Sequence, residues 1–255
     1  MNLLLIDIGN TNTHLGLAAE RRVREQANVP TLRAMREGTW VNRFLRRRLV
    51  DGAIIASVVP RATTPVARFV ERATGCRAIH LSPKLDLGIG VRYPKPRQIG
   101  ADRLANAVAL AYLYGAPGVV VDFGTAVTFD IVNAHREYIG GVIAPGLAAM
   151  TTYLHEHTAQ LPEIRVREPR SVVGRNTIEA MRIGAVHGYR GLIREILAEV
   201  KHELRAPRLH VVATGGYAEL IARRLPEIRD VNQLLTLEGL RLIYLRNRTH
   251  REGTR

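Results

Sequence analysis

The chain holds a single cysteine, Cys76, in 255 residues. No internal disulfide framework can form, which suits a reducing compartment, and Cys76 is expected to be a buried structural residue. Aromatic side chains make up only 5% of the chain, too few for a stacking platform on single-stranded nucleic acid. No apolar run approaches the roughly 20 residues that a membrane-spanning helix needs. The uncharged stretch Leu104 to Val121 is broken by Gly115-Ala116-Pro117-Gly118 and reads as an amphipathic helix, a turn and a buried strand. The opening MNLLLI lacks the basic and apolar regions of a signal peptide. Also missing is the G-x-x-x-x-G-K-S/T phosphate loop. The expectation is a cytoplasmic chain without a membrane partner.

Hydrophobic residues reach 46%, enough to bury a sizeable core and to set disorder aside. The length allows one large domain or two modest ones. Net charge is +14, which can draw in nucleic acid or anionic small molecules. The basic residues are mostly arginines spread along the chain, densest at Arg43 to Arg48 in an expected helix. A solvated basic surface accounts for this better than a nucleic-acid site.

One motif occurs twice. LLLI leads into Asp7-Ile8-Gly9-Asn10-Thr11-Asn12-Thr13, and GVVV leads into Asp122-Phe123-Gly124-Thr125-Ala126-Val127-Thr128. Both read D-x-G-x-x-x-T after an apolar strand, and both run on into a second apolar stretch. Two such hairpins suggest two similar α/β domains facing each other, at 1–115 and 116–255. Further strands are expected near Arg22–Val29, Ala53–Ser57, Tyr138–Ala144 and Leu209–Ala213. Helices are expected from about Thr31, over Leu147–Glu156 and over Thr177–Leu204. The charged tail RNRTHREGTR is expected to fray.

Each hairpin on its own is readable as a plain turn, since aspartate and glycine are common there. The pair has a chemical reading. Backbone N–H groups in a Gly/Thr/Asn turn can cradle phosphate oxygens. A carboxylate beside them would repel phosphate unless a cation sits between, so Asp7 and Asp122 imply metal such as Mg²⁺. A third, weaker signal is Thr214-Gly215-Gly216, placed between an apolar strand and a helical stretch. Gly140-Gly141 and Pro145-Gly146 are weaker still.

Together these motifs resemble the phosphate and adenosine motifs of the actin/hexokinase-like ATP-binding fold. Tyr93-Pro94-Lys95-Pro96-Arg97-Gln98-Ile99-Gly100-Ala101-Asp102-Arg103 resembles the Y…P…GADR segment of type III pantothenate kinases. Gly140 to Gly146 and Gly174-Arg175-Asn176-Thr177 also fit that family. The matching motifs run in order from Asp7 to Gly216. The resemblance implies two RNase H-like domains with the nucleotide cleft between them. It implies ATP-dependent phosphorylation of pantothenate to 4′-phosphopantothenate, a homodimer, a divalent metal, and K⁺ or NH₄⁺. Asp7, Ile8, Gly9, Asn10, Thr11, Asn12, Thr13 and His14 would form the first ATP phosphate loop, with Asp7 helping Mg²⁺. Thr125, Gly215 and Gly216 would contact ATP, and Asp122 the monovalent cation. Tyr93, Gly100, Ala101, Asp102, Arg103 and Thr177 would hold pantothenate, with Asp102 as general base.

That last role suits its position. GADRLANAVALAYL places Leu104, Val108, Ala111 and Tyr112 on one apolar helical face, with Asp102 and Arg103 in the first turn. The chain departs from the family pattern at Arg182-Ile183, where relatives carry glutamine and serine. His80, His155, His157, His187 and His210 show no metal-ligand spacing. Two rival readings are a different small-alcohol kinase on the same fold and a non-enzymatic transcriptional accessory protein.

Overall fold

The computed structural model describes residues 1–248. In chain order the elements begin with β1 (Leu3–Ile8), β2 (Asn12–Ala18), β3 (Val23–Pro30), α1 (Thr31–Ala34), α2 (Thr39–Leu45), β4 (Gly52–Ser57), α3 (Pro60–Thr74), β5 (Ile79–His80), β6 (Gly90–Val91) and α4 (Ala101–Leu113). They continue with β7 (Gly118–Phe123), β8 (Ala126–Val132), β9 (Glu137–Pro145), α5 (Leu147–Glu156), α6 (Thr177–Ile183), α7 (Tyr189–Glu203), β10 (His210–Thr214), α8 (Ala218–Ala222), β11 (Asp230–Val231) and α9 (Leu235–Asn247). Two compact units share them. The first takes Met1–Tyr114, His135–Ile139 and residues 234–248; the second takes Gly115–Ala134 and Gly140–Gln233.

In the first unit the sheet runs β3-β2-β1-β4-β5. β1 lies antiparallel to β2 and parallel to β4. Its Leu3, Leu4, Leu5 and Ile6 are all fully buried, because a central strand is covered on both faces and reads as a continuous apolar run. Leu4, Ile6 and Ile8 join Val66 and Val70 of α3 and Trp40 and Val41 of α2 in one core. On α9, Leu235, Leu237, Leu240 and Ile243 are buried, and a Cβ built on Gly16 of β2 would lie 3.2 Å from Leu237 Cδ1. The second unit orders its strands β11-β10-β7-β8-β9. Val119, Val121 and Phe123 of β7 pack with Ile193 and Leu197 of α7 and with Val211 and Ala213 of β10. β1 and β7 share one burial pattern, four buried residues followed by a half-buried aspartate.

Several expectations need correcting. α9, placed by sequence in the second domain, belongs to the first unit. The cause is a close backbone approach: a Cβ on Gly239 would lie 2.0 Å from the Ala105 carbonyl oxygen of α4. Buried Asn106 accepts the Thr236 hydroxyl at 2.8 Å across the same helix pair. The helix expected from Thr31 is two short ones separated at Gly38, where a Cβ would meet the Phe69 ring at 2.7 Å. The arginine run leaves helix at Leu45, with Arg46 and Arg47 at positive φ and Arg48 bonded to Glu25 at 2.6 Å. The long helix over Thr177–Leu204 is interrupted by a π turn at Gly184–Gly188.

Tyr112 is partly exposed rather than turned to the core, with the Arg136 guanidinium 4.9 Å from its ring centroid. Cys76 is half-buried, its thiol donating to the Val50 carbonyl at 3.2 Å. Of the tail expected to fray, Arg246, Asn247 and Arg248 are described, Arg246 bonding to Asp86 at 2.9 Å. The rest lies outside the described residues.

The α4–α9 contact gives a direct test. Gly239→Ala forces the helices apart, and overpacking of this kind costs about 2 kcal/mol. In thermal unfolding the variant should melt roughly 4–8 °C lower. An unchanged melting temperature would mean that the two helices do not rest on backbone contact.

Candidate active site

The first hairpin is held from below by one threonine. Its loop closes with the Gly9 N–H donating to the Asn12 carbonyl at 3.0 Å. Thr31 donates its N–H to the Thr11 carbonyl at 3.0 Å and its hydroxyl to the Gly9 carbonyl at 2.7 Å. Thr13 is fully buried, 3.1 Å from the Thr31 hydroxyl. Its side chain therefore supports the loop from inside, while Asn10, Thr11 and Asn12 face solvent. Ile8 is buried and accepts the Val58 N–H at 3.1 Å. Asp7 is half-buried at the strand end, opposite His14 in the ladder. Burial pushes the His14 imidazole below its usual pKa, partly offset by a hydrogen bond with Asn28. His14 is therefore neutral at physiological pH and adds no charge to the loop.

The second hairpin closes with the Gly124 N–H on the Ala126 carbonyl at 3.1 Å. The two motifs have equal spacing in sequence but not equal register. Thr13 pairs with Ile8, whereas Thr128 pairs with Asp122, because the first hairpin's loop is one residue longer. A one-residue slip turns a strand position to the opposite face, so the two motif threonines are not structural equivalents. Thr125 and Gly124 are exposed at the turn.

Two glycines bring backbone against this second loop. Gly215, at φ +90°, sits where a Cβ would lie 2.6 Å from Asp122 Oδ1 and 2.7 Å from the Phe123 backbone. Parallel pairing of Thr214 with Asp122 places it there. Gly146, just before α5, donates its N–H to the Thr125 carbonyl at 3.2 Å. A Cβ on Gly146 would lie 2.2 Å from that oxygen. Asp122, Thr125, Gly146 and Gly215 thus converge around one turn of the second unit, with exposed Gly216 beside them. Gly146 was among the weakest sequence signals, and only the packing shows why a glycine stands there.

In the first unit the GADR segment begins α4. Asp102 lies in the first turn, half-buried, its Oδ1 accepting the Arg103 N–H at 2.8 Å. A Cβ on Gly100 would meet the same oxygen at 2.5 Å and Val58 at 3.3 Å. Gly100 therefore lets the carboxylate fold back beside the end of β4, next to the strand end that carries Asp7. Burial raises the Asp102 pKa, opposed by the Arg103 N–H bond and the Arg103 charge. The Arg103 guanidinium lies 5.9 Å from the Tyr138 ring centroid, and the Tyr93 ring 6.2 Å from it. Tyr138 organises Tyr93 and Arg103, yet the sequence marked it only as a strand residue. A cavity of about 980 Å³ opens beside Gly100 and Ala101, lined by Ser57, Thr63, Lys84 and Arg97 among others. Thr177 starts α6 in the second unit and is exposed.

Among the described residues, no three His, Cys, Asp or Glu side chains gather as a metal centre. Asp7 and Asp122 each bring one half-buried carboxylate to the end of an apolar strand. Such a donor set fits a hard cation that completes its shell with water and phosphate oxygens.

A family model described as type III pantothenate kinase matches residues 3–199. The chain is similar to a type III pantothenate kinase of Akkermansia muciniphila, 48% identical over 243 residues, covering 95% of this chain and 98% of that one. Among solved structures it is similar to a Baf family transcriptional activator from Campylobacter jejuni, with a TM-score of 0.62 at 21% identity, covering 96% of this chain and 99% of that one. It is also similar to an activator of 2-hydroxyisocaproyl-CoA dehydratase from Clostridium difficile with bound ADPNP, with a TM-score of 0.56 at 10% identity, covering 100% and 97%. At these identities the structures speak for the fold alone, a two-domain α/β ATPase fold. Extended identity and a family match over most of the sequence carry more: this chain belongs to the type III pantothenate kinase family.

Proposed function

We propose that the chain transfers the γ-phosphoryl group of ATP to the hydroxyl of pantothenate, giving 4′-phosphopantothenate for coenzyme A synthesis. Family membership supports the substrates. The observation that carries the chemistry is the Asp102 carboxylate at the start of α4, with its pKa raised by burial. A carboxylate that holds its proton more tightly is a better acceptor for the substrate hydroxyl proton. Phosphoryl transfer otherwise depends on positioning and charge neutralisation.

Arg103, held against Tyr138, offers a fork to the transferring phosphate or the pantothenate carboxylate. Tyr93, Gly100, Ala101 and Thr177 are assigned to pantothenate. The loops at Asp7 to His14 and at Thr125, with Gly215 and Gly216, are assigned to ATP. Their exposed turn residues supply the polar contacts, while Ile8 and Thr13 hold the first loop in shape. Asp7 would hold Mg²⁺ and Asp122 K⁺ or NH₄⁺; these cations would neutralise phosphate charge.

The protein is proposed to be a cytoplasmic homodimer. No helix among the described residues is long and apolar enough to cross a membrane. Ile143, Tyr153, Val172, Val173 and Ile178 of the second unit are exposed, a set of apolar side chains that a second copy would cover.

Asp102→Asn should lower kcat by roughly 10²–10⁴, the range for a lost general base. Folded-state pKa is raised here, so the ionised carboxylate opposes folding above that pKa. The asparagine variant should therefore melt at or above the wild-type temperature at pH 7.5. In the wild type, kcat/KM should rise with pH through a midpoint above the ordinary aspartate value of about 3.9, and this limb should vanish in the variant. Full turnover in Asp102→Asn, measured by coupled ADP release, would remove the base assignment. A folded, nucleotide-binding wild type without pantothenate turnover, even with Mg²⁺ and K⁺, would remove the function.

Gly215→Ala drives a methyl into Asp122 and the Phe123 backbone. ATP KM should rise at least tenfold, and activation by K⁺ over Na⁺ should shrink, while pantothenate KM changes little. Steady-state kinetics in the two salts decides it; unchanged ATP KM would detach this turn from the nucleotide.

A further inference from the structure

The segment between α5 and α6 has little regular structure, yet one buried ion pair ties it down. Arg190 of α7 is buried and binds both oxygens of Glu168, at 3.0 and 2.6 Å. It also donates to the Leu220 and Ile221 carbonyls, at 2.6 and 3.2 Å. Arg224 reaches the same glutamate at 3.1 Å. Beside this anchor lies a pocket of about 600 Å³, whose lining includes Arg167, Arg170, Arg175 and Arg182 with Glu168, Glu179 and Val173, the last of which also belongs to the apolar set assigned above to a second copy.

Both carboxylates of that lining are already engaged. The Arg190 hydrogen bonds hold the Glu168 carboxyl below its usual pKa, with the Arg190, Arg224 and His187 charges adding to the effect. Glu179 accepts the Arg175 backbone N–H at 2.9 Å. That bond is the main cause of its lowered pKa, with Asn176 and the charges of Arg175 and Arg182 contributing. Arg182 is half-buried, its Nε donating to the Arg165 carbonyl at 3.4 Å. Arg167, Arg170 and Arg175 are exposed, and none of the four arginines forms an ion pair among the described residues. Four guanidinium groups thus line one concavity with two carboxylates: Glu168 is offset by Arg190 and Arg224 from outside the four, and Glu179 faces the charges of Arg175 and Arg182, which leaves an excess of positive charge.

We propose that this arginine-lined pocket is a second anion site, taking a small molecule that carries a di- or triphosphate group. Guanidinium forks match phosphate oxygens in pairs, and several of them together suit a ligand of more than one negative charge. A volume of about 600 Å³ is that of a small-ligand pocket. A single-stranded nucleic acid would need a basic groove with stacking rings, and the lining holds no aromatic side chain.

The test is calorimetric titration of the full-length protein with tripolyphosphate, the nucleotide site first saturated with a non-hydrolysable ATP analogue and Mg²⁺. One saturable site is expected, weakening as salt rises. Its affinity should fall at least tenfold in Arg167→Gln/Arg170→Gln and separately in Arg182→Gln, with binding of the ATP analogue unchanged. Arg61→Gln, an exposed arginine outside the pocket, should leave it intact. Arg167 and Arg170 are exposed, so the melting curve of that double variant should match the wild type, and it reads the pocket even where Arg182→Gln, which also loses the bond to the Arg165 carbonyl, melts lower. No binding beyond the nucleotide site, or equal affinity in the pocket variants, overturns the proposal. So does binding that appears only when subunits are dissociated, which would give the pocket to an acidic segment of a second copy.

Discussion

Backbone running against backbone, at positions where no side chain fits, is the constraint on which the molecule depends. Gly239 lets α9 press on α4, and through it α9 joins the first unit. Gly215 and Gly146 do the same around the turn at Asp122 to Thr125. Each contact removes a Cβ rather than adding an interaction. The gain is position: two loops from distant parts of the sequence come within hydrogen-bonding distance of one turn. A glycine at φ +90° also avoids the strain that another residue would meet there.

Around these contacts the two units use one device, a strand buried on both faces that ends in a half-buried aspartate. The buried run fixes the strand, so the carboxylate at its end has little freedom. Asp102 is placed differently, in the first turn of a helix, where Gly100 lets it fold back beside the end of β4. Burial there raises its pKa while the Arg103 N–H opposes the shift. The net direction is upward, because burial outweighs the Arg103 N–H and the Arg103 charge. The supports of these loops come from other segments: Thr31 and Thr13 shape one loop, and Tyr138 holds Tyr93 and Arg103.

Much of this was legible from order and periodicity. β1, β2, β7 and β8 were readable because apolar runs stop at D-x-G turns. α4 and α5 were readable from apolar spacing and from the glycines that precede them. α9, which belongs to the first unit, was taken into the second domain drawn from residue 116 on. Its partner, Ala105, is more than a hundred residues away, and a small residue in an amphipathic helix says nothing about which backbone it touches. The break at Gly38 and the π turn at Gly184–Gly188 were hidden for the same reason. Local propensity continues a helix that a neighbour's side chain or a shift of register interrupts.

The sequence by itself determined the pair of aspartate hairpins, the GADR helix start and the family to which they belong, because these are local patterns of residue type and spacing. Tertiary structure alone decided that Thr13 faces inward while Thr128 sits opposite Asp122. It decided that Gly146 and Gly215 meet at one turn, that Tyr138 stands between Tyr93 and Arg103, and that four arginines line one pocket. Those are matters of register and distance between remote segments. They depend on the close packing of a core whose every contact constrains the others, and no window along the chain contains that information.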